Sequence, residues 1–135
     1  SMRMEKGYLH WKSDLITEFD PYETGLDRFV SRDKDFLGKA ALLGRGGKKR
    51  RQLRMLEIDA THASPQPSDS LYAGGQLVGS VTSADWGHRT GKNIAYAFVQ
   101  PDITEGLCVE IIGQRYAARV LDEPVFDPDN SRVKC

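Results

Sequence analysis

The hydrophobic positions of this chain change their spacing near residue 52, and from there they favour short β-strands. The stretch Leu53–Ile58 predicts a first strand. Leu71–Val78 predicts a hairpin, because Gly74-Gly75 at its centre accepts the positive φ angles of a tight turn. The later strands and their connecting turn are predicted at Leu107–Ile112, Gly113-Gln114 and Arg115–Leu121. Short strands at this spacing are typical of a small antiparallel barrel or sandwich.

The stretch Val78–Val99 joins two strands through an unusually polar connection. Ile94–Val99 alternates large and small apolar residues, which predicts a strand buried on both faces. A loop is expected over Asp85–Lys92. Its functional side chains are Asp85, Trp86, His88, Arg89, Thr90 and Lys92. Because core packing requires none of these groups, the loop is a candidate binding element.

The first 45 residues have a different pattern, with helical signals and fewer strands. Gly7 can close a helix that ends near Arg3–Lys6. Arg28–Val30 predicts a short strand. The clearest helix spans Asp33–Leu43, where an aspartate can cap the first amides and Gly44 can end the helix. The fold class is therefore α+β and mostly β.

A glycine- and cation-rich segment separates these two parts. Gly46 and Gly47 are followed by Lys48–Arg51, four consecutive cations. A solvated linker is one interpretation, and a cation cluster for a polyanion or a ligand carboxylate is the other. The expected organisation is a cloning remnant at 1–2, an N-terminal part at 3–45, a basic linker at 46–51 and a β-barrel at 52–135.

Composition excludes several classes of function. The 135 residues contain 19 Lys and Arg against 19 Asp and Glu, so the net charge is zero, which argues against a general nucleic-acid binder. No apolar run approaches the roughly 18 residues of a membrane span. Two cysteines, Cys108 and Cys135, do not form a disulfide framework, and the three histidines lack metal-ligand spacing. An intracellular, reducing compartment fits this composition.

The residues alone name no function, since they contain no nucleophile elbow, phosphate loop or dinucleotide fingerprint. Two alternatives stay open at this point. The chain could be a non-catalytic barrel module that assembles with another subunit. It could also bind nucleic acid through Lys48–Arg51, in which case binding would depend strongly on salt.

Four motifs in order resemble the aminomethyltransferase (glycine cleavage T-protein) family. They are Arg3-Met-Glu-Lys-Gly-Tyr, Asp35-Phe-Leu-Gly-Lys-Ala-Ala-Leu, Gly79-Ser-Val-Thr-Ser with Gly91-Lys-Asn-Ile-Ala-Tyr-Ala-Phe-Val, and Pro124-Val-Phe-Asp-Pro. The resemblance implies a short tail of a folate-binding core over residues 3–45, followed by the family's C-terminal β-barrel. The tryptophan-bearing Trp86-Gly-His-Arg segment is closer to the dimethylglycine and sarcosine dehydrogenase branch.

That branch implies a longer parent enzyme, of which this chain would be the C-terminal part. The parent would oxidise a methylated glycine in an upstream FAD domain and pass the carbon to tetrahydrofolate. The family's catalytic aspartate lies upstream, so we expect no catalytic residue here and no activity from this chain alone. A glycine-cleavage-type aminomethyltransferase is the alternative within the family. The compartment implied is the cytoplasm, or the mitochondrial matrix in a eukaryote.

The resemblance also implies folate-binding residues. Glu5 matches the pterin-binding glutamate, whose two oxygens suit the donors of an aminopyrimidine ring. Lys34, or Arg32, stands where the family has a cation before the helix. Trp86, His88 and Arg89 belong to the loop that approaches the folate, although packing against the barrel would explain them equally well. We expect no metal, and exposed apolar residues within 3–45 could support a homodimer.

Overall fold

The computed structural model describes residues 1–134, so Cys135 lies outside the described part. Its helical elements are α1 (Met2–Glu5), a 3₁₀ turn (Asp27–Phe29) and α2 (Lys39–Gly44). Its strands are β1 (Gln52–Ile58), β2 (Ser70–Ala73), β3 (Gln76–Gly87), β4 (Lys92–Val99), β5 (Leu107–Ile111) and β6 (Gln114–Leu121). The prediction of a mostly β protein is confirmed.

The six strands form a closed antiparallel barrel in the order β1-β4-β3-β2-β5-β6. Its longest ladders join β4 to β1, where Gln52 lies opposite Val99, and β4 to β3, where Gly87 lies opposite Lys92. The last contact, between β1 and β6, closes the cylinder by pairing Leu56 with Val120. Closure removes the open sheet edges that would otherwise invite further strand pairing.

The β1–β4 pair is apolar on both faces. Ala95, Ala97 and Val99 belong to the barrel core, together with residues such as Leu56 and Ile58. The alternate positions of the two strands point outwards and form a second cluster with Met4 of α1. Its strand residues are Leu53, Met55, Ile94, Tyr96 and Phe98. Every β4 residue after Lys92 is buried, so the predicted strand with two buried faces is confirmed.

The N-terminal segment covers this outer face. Met4 of α1 is 1% exposed within the outer cluster. Phe19 stacks on Phe98 with ring centroids 3.7 Å apart and an angle of 21° between the rings. Burying a large apolar side chain contributes roughly 1.5–3 kcal/mol, so these contacts hold the segment against the barrel.

A buried carboxylate fixes the same segment to β3. Asp14 accepts hydrogen bonds from the hydroxyls of Thr82 and Ser83, both at 2.6 Å, and from the Arg3 guanidinium at 3.0 Å. Consecutive strand residues normally face opposite sides, but a β-bulge lies between Val81 and Ser83. The bulge lets both hydroxyls reach one carboxylate.

A second buried carboxylate binds the basic segment. Glu23 is fully buried and accepts hydrogen bonds from the Arg50 backbone at 2.9 Å and the Arg50 guanidinium at 3.1 Å. The Arg51 guanidinium donates to the Val78 carbonyl at 2.6 Å. Lys48, Lys49 and Arg50 are exposed, so the segment is in contact with solvent, and its two arginines also attach it to Glu23 and Val78.

Two predictions for the first 45 residues are wrong. The helix expected over Asp33–Leu43 starts only at Lys39, because Gly38 before it takes a left-handed conformation with φ of +85°. Phe36 and Leu37 are exposed and belong to neither hydrophobic core cluster of residues 1–134, so burial does not support a longer helix. The strand expected at Arg28–Val30 is replaced by the 3₁₀ turn.

Two connections in the barrel differ from their predicted bounds. The β3–β4 loop is shorter than predicted, and the β5–β6 turn is shifted by one residue. The loop expected over Asp85–Lys92 spans four residues, His88–Gly91, because Trp86 pairs with Asn93 and β3 therefore continues to Gly87. The turn between β5 and β6 is Ile112-Gly113 instead of Gly113-Gln114. The Gly74-Gly75 hairpin is confirmed, with positive φ at both glycines.

Within residues 1–134, no helix has the length and hydropathy needed to cross a membrane.

We expect Glu23→Gln to destabilise the protein by about 2 kcal/mol at neutral pH, because hydrogen bonds to a buried charge are lost. Burial alone would raise the pKa of Glu23. The hydrogen bonds from the Arg50 side chain and from the Asp20, Arg50 and Arg51 amides lower the pKa from 4.5 to about 2. The stabilisation is therefore complete above pH 4.5 and is lost as the pH falls towards 2.

Urea unfolding at pH 7, 4 and 3 measures this effect, with Glu105→Gln as an exposed control. A stability difference between wild type and Glu23→Gln that stays constant over this range would contradict the prediction.

We expect Ile112→Asn to stabilise the protein by about 1 kcal/mol, because a β-branched residue is strained at positive φ whereas asparagine tolerates it. Ile112 has φ of +49° and is 93% exposed, so the substitution sacrifices little packing. Thermal unfolding checks the gain. Ile112→Val keeps the β-branch and should bring none; an equal gain from both variants would refute the explanation.

Candidate functional site

Glu5 occupies the last position of α1, beside the β3–β4 connection. The helix ends through a paired motif in which the Gly7 amide donates to the Met4 carbonyl and the Tyr8 amide donates to the Arg3 carbonyl. Gly7 has φ of +73°, as the sequence analysis predicts for a helix-closing glycine. Met4 points into the outer cluster, and its neighbour Glu5 meets the loop.

The loop binds one oxygen of the Glu5 carboxylate. Glu5 Oε1 accepts hydrogen bonds from the Arg89 amide at 2.9 Å, the Thr90 amide at 2.8 Å and the Thr90 hydroxyl at 3.0 Å. Gly87 makes this approach possible. A Cβ at that position would lie 3.0 Å from the Glu5 carboxylate and 2.7 Å from the Thr90 hydroxyl.

These hydrogen bonds keep Glu5 ionised although the side chain is only 4% exposed. Burial by itself would raise the pKa of the carboxyl group. The backbone and hydroxyl bonds from Thr90, the Arg89 amide and the Arg89 charge together outweigh burial, so the pKa of Glu5 lies below its usual range. Oε2 accepts no hydrogen bond from the described residues, and it is not one of their completely buried polar atoms without a partner. The carboxylate of Glu5 is therefore ionised and hydrogen-bonded through one of its two oxygens.

The C-terminal segment forms the other side of this site. The Phe126 amide donates to the Glu5 carbonyl at 3.0 Å. The Arg89 guanidinium lies 4.4 Å from the centroid of the Phe126 ring, a cation–π contact. Together they border a hollow of about 220 Å³, which we call the Glu5 hollow. It is lined by Met2, Arg3, Glu5, Lys6, Tyr8, Arg89 and Phe126.

The predicted folate residues do not all meet in this hollow. Glu5 and Arg89 do. His88 lies on the same loop with an exposed side chain, outside the lining. Trp86 lines a separate hollow of about 350 Å³ between β1, β4 and β6. Lys34 lines a third hollow beside Phe29, and Arg32 is exposed.

Several residues of the site were missed by sequence reasoning, among them Thr90, Lys6 and Phe126. Thr90 stood in the candidate loop without an assigned role, and Lys6 and Phe126 stood only within motifs. The recurrence of the opening and closing motifs in one family could have indicated that the two segments meet. Within residues 1–134, no group of three or more histidine, cysteine or acidic side chains could hold a metal ion.

The family model for the glycine cleavage T-protein C-terminal barrel domain matches residues 51–127. Dimethylglycine dehydrogenase of Mus musculus mitochondria is 31% identical over 141 residues, which cover 99% of this chain and 16% of that protein. Sarcosine dehydrogenase of Mus musculus mitochondria is 35% identical over 148 residues, covering 99% and 16%. The aminomethyltransferase of Thermotoga neapolitana is 32% identical over 126 residues, covering 92% and 34%.

The fold has a close counterpart among solved structures. The glycine cleavage system aminomethyltransferase T from Bartonella henselae superposes with a TM-score of 0.84 at 20% identity, over 93% of this chain and 37% of that one. The chain therefore spans well under half the length of each of these proteins. The family resemblance stated from the motifs is confirmed. This chain belongs to the family of glycine cleavage T-protein C-terminal barrel domains.

Proposed function

We propose that the Glu5 hollow binds the pterin ring of tetrahydrofolate within a longer enzyme that transfers one-carbon units from methylated amines. The observation that carries this proposal is the Glu5 carboxylate. Its Oε1 accepts three hydrogen bonds from the His88–Gly91 loop, its Oε2 accepts none from the described residues, and Glu5 lines the hollow.

The residues of the hollow fit such a ring. Ring N–H and amino groups of a pterin are donors, and a carboxylate oxygen is the strongest acceptor a side chain offers them. Because Oε1 already accepts three hydrogen bonds, the contact uses Oε2 alone, and not both oxygens as the sequence analysis expects. The neighbouring Arg89–Phe126 pair supplies a flat, partly apolar wall.

The size of the hollow suits a ring better than a whole folate. About 220 Å³ is below the roughly 300–1,000 Å³ of pockets that enclose drug-sized ligands. In this proposal, residues elsewhere in a longer polypeptide hold the rest of the molecule. The 135-residue chain then binds weakly and has no turnover of its own.

The names of the relatives support the substrate class. They include dimethylglycine dehydrogenase, sarcosine dehydrogenase, aminomethyltransferase and a formaldehyde-forming 4-methylaminobutanoate oxidase. Each of these names implies a carbon attached to an amine nitrogen. Tetrahydrofolate, when bound, would supply the acceptor for that carbon, and this chain's residues would bind and orient it. The dehydrogenase branch is favoured because it aligns with 99% of the chain.

One observation favours a second role, as an assembly module. Phe29, Leu37 and Leu43 are 71%, 104% and 43% exposed on the N-terminal part. Large apolar side chains exposed together are typical of surfaces that dock on another surface. Sedimentation velocity of the 135-residue chain tests whether this surface pairs two copies.

Amide-detected NMR titration of the 135-residue chain with tetrahydrofolate tests the folate proposal. We expect shifts at Glu5, Arg89, Thr90 and Phe126. Glu5→Gln should weaken binding tenfold or more, because a hydrogen bond to a charged group is worth roughly 1.5–3 kcal/mol. Glutamine keeps an acceptor for Thr90 and converts Oε2 to a donor, so the loop should stay in place.

Glu105→Gln is the matched control and should bind like wild type. Unchanged affinity in Glu5→Gln, or shifts confined to the Trp86 hollow, would reject Glu5 as the ligand acceptor. Micromolar affinity in the 135-residue chain would instead contradict the claim that the hollow is only part of the pocket.

A further inference from the structure

Lys6 joins the two ends of the described chain beside the Glu5 hollow. Its ammonium group donates to the Asp127 carbonyl at 2.9 Å, Asp127 Oδ2 at 2.8 Å and Asn130 Oδ1 at 2.7 Å. An ammonium group has three donors, so all of them are used within one segment. The Lys6 and Asp127 side chains are 14% and 4% exposed, which shields the ion pair from solvent.

Asp127 also stabilises the turn that follows it through side-chain hydrogen bonds. Its Oδ1 accepts hydrogen bonds from the Ser131 hydroxyl at 2.8 Å and the Arg132 amide at 3.3 Å. Asp127 and Asn130 adopt left-handed backbone conformations, with φ of +47° and +54°. Aspartate and asparagine tolerate that region better than other non-glycine residues. The hydrogen bond from Lys6 holds the pKa of Asp127 down to about 2, so the Asp127 carboxylate is ionised at neutral pH.

The neighbours of this ion pair form the walls of the hollow. Glu5 precedes Lys6, and Phe126 precedes Asp127. The Phe126 amide donates to the Glu5 carbonyl, and its ring lies beneath the Arg89 guanidinium. A shift of the segment would therefore move the aromatic wall and release one backbone contact of Glu5.

We propose that Lys6 and Asp127 are positioning residues that lock the closing segment, residues 124–130, against α1 and hold Phe126 and Arg89 in place around Glu5. The pair acts on the wall of the hollow, which Lys6 itself lines, while all three donors of its ammonium group are bound by the closing segment. The effect of the Lys6–Asp127 pair on ligand binding rests on the proposed function. Its effect on the His88–Gly91 loop and on the closing segment is independent of that function.

Asp127→Asn tests the lock. Asparagine keeps the left-handed backbone and removes the charge. Asp129→Asn removes the same charge two residues away, where the hydrogen bond to Lys134 is accepted by the backbone carbonyl and not by the side chain. Hydrogen–deuterium exchange measured by NMR is the first readout. We expect the Arg89, Thr90 and Phe126 amides of Asp127→Asn to exchange at least threefold faster, with the β5 amides unchanged and Asp129→Asn like wild type.

Lys6→Met should produce the same pattern, and the double variant should add little to either single one, because both remove one interaction. Tetrahydrofolate titration is the second readout, with about a tenfold loss of affinity expected in Asp127→Asn and none in Asp129→Asn. If wild type does not bind tetrahydrofolate, the folate proposal fails. Hydrogen–deuterium exchange then tests the positioning role of Lys6 and Asp127 by itself.

Wild-type exchange in Asp127→Asn would overturn the lock. Fully additive effects in the double variant would overturn it as well. Equal acceleration of the β5 amides would show a general loss of stability and would also refute a positioning role.

Discussion

The outer face of the β1–β4 pair must be covered, and this requirement organises the molecule. A closed barrel buries one face of each strand by itself, so Ala95, Ala97 and Val99 need only each other and the opposite strands. Ile94, Tyr96 and Phe98 point outwards and would leave a large apolar surface in water. The N-terminal segment covers them, which places α1 directly beside the loop that follows β3.

The polar contacts then set the position of that segment. Apolar packing is not directional, whereas hydrogen bonds to a buried carboxylate specify register. Asp14 supplies these bonds at the β3 bulge. Tyr96 lies in the same environment, where burial and the nearby Asp14 charge raise the pKa of its phenol to about 12. Because Asp14 and Met4 hold the segment against the barrel, Glu5 lies within hydrogen-bond distance of the Arg89 and Thr90 amides.

Glu5 and Glu23 show how a structural carboxylate differs from one that is available to a ligand. Both are buried glutamates with a lowered pKa. Arg50, Arg51 and Asp20 use both oxygens of Glu23, so it binds the basic segment to the N-terminal part. The loop uses only Oε1 of Glu5. An oxygen without a hydrogen bond among the described residues, in a side chain that lines a hollow, distinguishes Glu5 as the candidate ligand group more than burial or pKa does.

The sequence by itself determined the barrel strands, the Gly74-Gly75 hairpin, the closing glycine of α1 and the family. These features depend on period-two alternation, on φ angles that glycine favours and on short motifs, all of which are local. It misplaced the start of α2, because an apolar stripe predicts a helix only where a partner buries it, and Phe36 and Leu37 have none among the described residues.

Only the tertiary structure decided which of the predicted residues share the candidate site. Glu5 and Thr90 are 85 residues apart in sequence, and Lys6 and Asp127 are 121 apart. No local pattern encodes such pairings, because barrel closure and the covering of β4 bring them together. For the same reason Trp86 and Lys34, which sequence reasoning grouped with Glu5, lie at other hollows. A side chain's direction depends on strand register and on bulges, and both are settled only when the whole barrel packs.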